Sequence, residues 1–250
     1  MSLNRTILIM IIQKNFIRFA SVCCFITVIT TLGIHAWFPD PPAGFEERIL
    51  LFRSKIYLVN RWWVIAHCLL VIIAMWGFAL LQFKKAPGLT GLGFLFFCVF
   101  GIAEITRQMM VLLYANALRE QFYMATDEVT RNGLKIVLST AGQLTAPLFG
   151  VFILMFGLGN LCYGFSLIHS KGFSKLLCIL FIISATSNFL MLGNSFWKIP
   201  AIDNVMEKYS YTFTPLLRMI IAIWLWKKSN VLSKEESKII LKLPDLAASQ

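Results

Sequence analysis

Residues 89–113 read LTGLGFLFFCVFGIAEITRQMMVLL, an apolar run interrupted by an acid, a base and an amide at Glu104, Arg107 and Gln108. A helix needs about 20 predominantly apolar residues to cross the hydrocarbon core of a bilayer, and this run meets that length. Charge at membrane depth costs roughly 2.5 to 3.5 kcal/mol per residue on insertion scales, so Glu104 and Arg107 require partners or water. Positions three and four apart share one face of a helix, which places Glu104, Arg107 and Gln108 on one stripe.

Composition agrees with a bilayer environment. The chain has 250 residues, of which 58% are hydrophobic and 14% charged, with mean hydropathy +0.74; a soluble domain carries about 25% charged residues. The net charge of +11 would fit nucleic acid only with a basic face on a soluble fold. Here the lysines and arginines flank apolar runs, which implies membrane orientation and contact with anionic lipid at the cytoplasmic face, and no nucleic acid partner. Cys23, Cys24, Cys68, Cys98, Cys162 and Cys178 all fall inside apolar runs without a CxxC pair, so they read as small buried hydrophobes rather than disulfides or metal ligands.

The runs predict an all-α polytopic membrane helix bundle of about six spans: 19–38, 63–83, 89–113, 136–168, 176–197 and 211–226. Residues 1–228 form one bundle domain in this reading, and 229–250 a basic amphipathic cytoplasmic tail. The run Ile7–Ile12 is too short to span and reads as an interfacial lead-in; Pro39, Pro41 and Pro42 stop the first span. Phe45, Ile49, Phe52, Ile56 and Val59 recur at helical spacing among charges, which predicts an amphipathic helix running without a break into Trp62 and the second span. The stretch 125–133 reads as a polar connection. Pro147 predicts a kink in the fourth span that frees the carbonyl of Gln143. In the tail, Ser233 and Glu236 have capping-box spacing, and Lys234, Lys238 and Lys242 recur four apart, as in a basic interfacial helix.

Loops on the N-terminal side hold twelve lysines and arginines against three acids, and the opposite loops nine against eight. The positive-inside rule then places both termini in the cytoplasm. The outer loops carry no Asn-x-Ser/Thr site, compatible with a cell (inner) membrane of bacterial type.

At 1.5 Å of rise per residue, His67, Glu104, Arg107, Gln143, Asn188 and Arg218 fall in one layer roughly 6 to 14 Å below the outer surface. Tyr211, Thr214 and Arg218 share a stripe in the sixth span, as do Ser184, Asn188, Met191 and Ser195 in the fifth. The expected site is an outward-facing polar cavity of Glu104, Arg107, Gln108, Gln143, Asn188, Tyr211, Arg218 and His67. Arg107 and Arg218 bracket Glu104 in it and leave one positive charge for a small anionic ligand or lipid headgroup. The competing reading is an accessory or assembly subunit whose polar layer only holds helices together. A third is a lipid-modifying enzyme that uses Glu104 as acid or base.

No GxSxG or HExxH motif is present, and no enzyme activity is expected. His35 and His67 raise the question of haem ligation, but nothing further in the pattern supports it, so no cofactor or metal is expected. A protein partner or a homo-oligomer stays open.

Overall fold

The computed structural model describes the backbone of residues 3–247 and the side chains of residues 13–34, 36–202, 205–206, 209 and 212–233. The described residues form eight α-helices and no strand: α1 (Leu3–Ala36), α2 (Phe45–Ile49), α3 (Lys55–Gln82), α4 (Pro87–Met109), α5 (Asn116–Met124), α6 (Glu128–Ser166), α7 (Phe173–Trp197) and α8 (Pro200–Ala247). Among the described residues five stretches are long and apolar enough to cross a membrane: Gln13–Ile34, Lys55–Gln82, Pro87–Met124, Glu128–Ser166 and Phe173–Trp197. The sixth expected span, 211–226, is the middle of α8, a single 48-residue helix. Apolar side chains lie on the outside as well as in the core, among them Phe25, Leu69, Leu95, Ile102, Ile179 and Leu190. Helices apolar all round are what a bilayer requires, and the chain is an all-α multi-pass membrane bundle.

The long helices close a ring, α1 on α3, α3 on α4, α4 on α6, α6 on α7, α7 on α8 and α8 back on α1. Small residues set the closest approaches. A Cβ at Gly77 of α3 would overlap the Cβ of Ala20 on α1, the kind of small-on-small contact that lets membrane helices pack tightly. Gly77→Ala is expected to cost about 1 to 3 kcal/mol, because α1 must move as a body to make room. A thermal melt checks this, and Ala20→Gly in the same chain should restore most of the loss.

One end of the ring, which we call the lower, carries the 83–86 turn and the 167–172 turn; the upper end carries 37–54, 125–127 and 198–199. The lower half is filled by aromatic rings. Phe78 lies 4.5 Å from Tyr163, 5.0 Å from Trp224 and 5.2 Å from Phe181, centroid to centroid. The buried hydroxyl of Tyr163 donates to the Met75 carbonyl at 3.0 Å, and Trp224 Nε1 donates to Ser174 Oγ at 3.0 Å. Five of the cysteines are buried as free thiols and Cys98 is half-buried.

Several local expectations are corrected. The amphipathic run does not continue unbroken into α3. It forms α2 and a 3-10 turn, Leu50–Arg53, and then stops at Ser54, which adopts an extended conformation and caps α3 by accepting from Tyr57 N–H. A serine side chain that can satisfy a helix start competes with helix continuation, and here it wins. Likewise the polar connection shrinks to 125–127, because Asp127 accepts the Thr130 N–H at 2.8 Å and opens α6 at Glu128. Ser233 starts no new helix; α8 runs through it. The side chains of Lys234, Lys238 and Lys242 lie outside the described residues.

α2 and the 3-10 turn rest on α5 at the upper end rather than on a bare membrane surface. Phe45 meets Phe122, Phe52 meets Tyr123, and Arg53 covers the Tyr123 ring at 4.1 Å. A π-helical turn, Met110–Ala115, joins α4 to α5 within one apolar stretch.

Candidate functional site

In the upper half, above the aromatic fill, the ring encloses a cavity of about 340 Å³ to which all six long helices contribute. Its polar lining is Thr31 of α1, His67 of α3, Glu104 and Arg107 of α4, Asn188 of α7, and Thr214 and Arg218 of α8. Its apolar wall comes chiefly from Phe100 of α4 and Phe149, Phe152 and Phe156 of α6. The α6 residues recur at i, i+3 and i+7, one stripe of a helix.

The stripe on α4 forms a network of its own. Arg107 grips Glu104 with two parallel hydrogen bonds, Nε to Oε2 at 2.8 Å and Nη2 to Oε1 at 2.6 Å. Gln108 Nε2 donates to the same Oε1 at 2.6 Å, and its own Oε1 accepts from Arg61 of α3 at 3.2 Å. Glu104 and Gln108 are buried, while the Arg107 side chain is 26% exposed. A bidentate arginine–carboxylate pair is the strongest ionic geometry that side chains offer, and this one satisfies both carboxylate oxygens without leaving its helix.

That pairing corrects the expected bracketing of Glu104. Among the described residues its hydrogen-bond and ion-pair partners are Arg107 and Gln108, and Arg218 is not one of them. Arg218 is 3% exposed and lines the cavity. Among the described residues its guanidinium meets no acceptor or carboxylate; the face of Phe156 lies 5.1 Å from it. Its backbone is held in place, since Cys24 Sγ of α1 donates to the Arg218 carbonyl at 3.2 Å. Arg107 stands over Phe149 at 5.3 Å, so each arginine caps one end of the α6 phenylalanine stripe.

The remaining expected residues divide. His67 lines the cavity, its Nδ1 2.7 Å from Thr30 Oγ1, and Asn188 lines it while donating to the Ser184 carbonyl at 2.6 Å. Gln108 sits behind the lining as part of the network. Gln143 does not belong: it is exposed on the outside of α6. Nine residues separate it from Phe152, roughly 13.5 Å of rise and a rotation of about 180° at 3.6 residues per turn, so it lies above the α6 lining and on the opposite face. The side chains of Tyr211 and His35 lie outside the described residues.

Sequence reasoning missed Arg61, which looked like a charge of the upper loops. Its signal was present in Tyr57 four residues earlier, whose ring lies 4.4 Å under the Arg61 guanidinium and 5.4 Å from that of Arg119. Arg119 in turn donates to Asn116 at 2.8 Å. The cations Arg61, Arg107, Arg119 and Arg218 therefore gather around the upper half with Glu104 as the one buried acid among the described residues. Comparison with protein-family models, with curated proteins and with solved structures found no match.

Proposed function

We propose that this chain is a membrane receptor-like or transporter-like protein that binds a small anionic group, a carboxylate, phosphate or lipid head, in the upper cavity through Arg218. One observation carries the reading: a buried, cavity-lining guanidinium without an acceptor among the described residues. Burying an unpaired charge is costly, and an anion arriving in the cavity supplies the missing partner. Arg107, already neutralised by Glu104, positions the wall; His67, Asn188 and Thr214 offer neutral polar atoms around the ligand. The upper end faces the outside of the cell, with both termini in the cytoplasm of an inner membrane, as the loop charges favour.

The test is a thermal-shift screen of the protein in phosphatidylcholine nanodiscs against acetate, phosphate, sulfate and anionic lipids. A ligand present at a hundred times its Kd raises stability by about 2.7 kcal/mol. That gain is expected to vanish in Arg218→Leu; a gain that persists there refutes the assignment.

The accessory-subunit reading has one observation in its favour, the Arg107–Glu104–Gln108–Arg61 network, which engages Glu104 on its own helix and ties α4 to α3. We take that network as the structural half of the layer and Arg218 as the binding half. The same engagement of both carboxylate oxygens weighs against Glu104 as a catalytic acid or base in a lipid-modifying enzyme.

A further inference from the structure

The composition of the cavity wall restricts what its anion can be. Beside the single unpaired charge of the lining and the neutral polar groups of Thr31, His67, Asn188 and Thr214, the wall is a phenylalanine ladder: Phe100 lies 4.7 Å from Phe152 and 5.0 Å from Phe156, and Phe149 stacks 5.6 Å from Phe152. Ile34, Val64 and Met191 extend it. The ladder runs two helical turns along α6, about 10 Å from Phe156 beneath Arg218 to Phe149 beneath Arg107. Phe149 is 40% exposed, so the ladder begins at the outside of the bundle and ends at the buried guanidinium.

A compact hydrated anion such as phosphate fits this surface poorly. It would satisfy Arg218 and reach the few neutral polar groups, but over the larger, apolar part of the wall it would lose its water against rings that return no hydrogen bond. Apolar bodies gain from the same rings, roughly 25 cal/mol for each Å² removed from water. The charge balance of the lining points the same way, because of its two arginines Arg107 is matched by Glu104 and Arg218 is open.

Resting on the anion-binding reading, we infer that the occupant is an amphiphilic monoanion: one carboxylate- or phosphodiester-type charge on Arg218, and an apolar chain or ring system laid along Phe152 and Phe100 towards Phe149. A free fatty acid or aromatic acid and a monoanionic phospholipid share this chemistry.

The experiment uses the full chain in phosphatidylcholine nanodiscs and compares melting shifts for octanoate, acetate, inorganic phosphate and octanol at equal concentration. A second preparation replaces part of the phosphatidylcholine by phosphatidylglycerol. Stabilisation by octanoate or by phosphatidylglycerol, with at least tenfold weaker response to acetate, phosphate and octanol and loss of the effect in Arg218→Leu, is the expected result. Octanoate reads a free amphiphile and phosphatidylglycerol a lipid. If acetate or phosphate stabilises as well as octanoate, through Arg218, the anion site stands and the amphiphile inference falls. If octanol matches octanoate, the charge is irrelevant and both fall, as they do if no anion acts or if Arg218→Leu responds like the parent. Phe152→Ser provides a variant that keeps Arg218. It is expected to weaken octanoate binding at least fivefold; an unchanged octanoate affinity overturns the inference.

Discussion

Replacing Arg218 by methionine is expected to stabilise the protein in the absence of ligand, by on the order of 2 kcal/mol. The effective penalty on a buried ion after relaxation is several kcal/mol, and a desolvated cation–π contact with Phe156 returns about 2 kcal/mol of it. Methionine is unbranched, fills the same volume beside Phe156 and carries no charge to desolvate. A denaturation midpoint that rises, together with loss of anion response, is the signature of a residue retained for binding at the expense of stability. A midpoint that falls by a similar amount would mean that Arg218 is paired in the native bundle, and the binding reading would lose its foundation.

Glu104→Gln should have the opposite sign. Removing one partner of a buried ion pair costs 3 to 5 kcal/mol in general, because the other charge is stranded. Here the loss is expected near 3 kcal/mol, since the Arg107 side chain is partly exposed and can swing its guanidinium outward. The variant also weakens the hold on Gln108, and through it on Arg61 of α3, so part of the loss is a looser α3–α4 seam. Adding Arg107→Leu to Glu104→Gln should recover most of the stability, a non-additivity that chemical denaturation of the two single variants and the double variant measures directly. Additive losses would show that the two residues do not act as a pair. A contrast in sign between positions 104 and 218 would separate a structural role at Glu104 from the proposed binding role of Arg218.

How legible this was in the sequence differs residue by residue. The cost of charge in a bilayer is a local property, so Glu104, Arg107 and Gln108 could be singled out from one run, and the shared depth of His67, Asn188 and Arg218 followed from helical rise alone. Which face each residue presents is not local. Gln143 lies above the α6 lining of the cavity and faces away from it, and the phase of a long helix containing Pro147 is fixed only by what α6 packs against. Partner choice was ambiguous for a related reason: Arg107 and Arg218 are both arginines at matching depth, and only the i,i+3 geometry, which needs no other helix, gives Arg107 precedence for Glu104. Ser54 and Asp127 were legible in principle, being standard N-cap residues, but the apolar periodicity across Ser54 and the polarity around Asp127 masked them. The phenylalanine wall was hidden by abundance. With 22 phenylalanines in the chain, nothing local distinguishes those that face lipid from Phe149, Phe152 and Phe156.

The stacked rings of the lower half have a consequence for any movement of a ligand. Phe78, Tyr163, Phe181 and Trp224 come from four different helices and wedge one another, each contact contributing about 0.5 to 1.5 kcal/mol beyond area burial. No single ring can turn aside without disturbing the rest, so the lower half is a plug beneath the cavity. Any passage from the cavity to the lower end would have to move four helices together at that plug, whereas entry beside the exposed Phe149 would leave them in place.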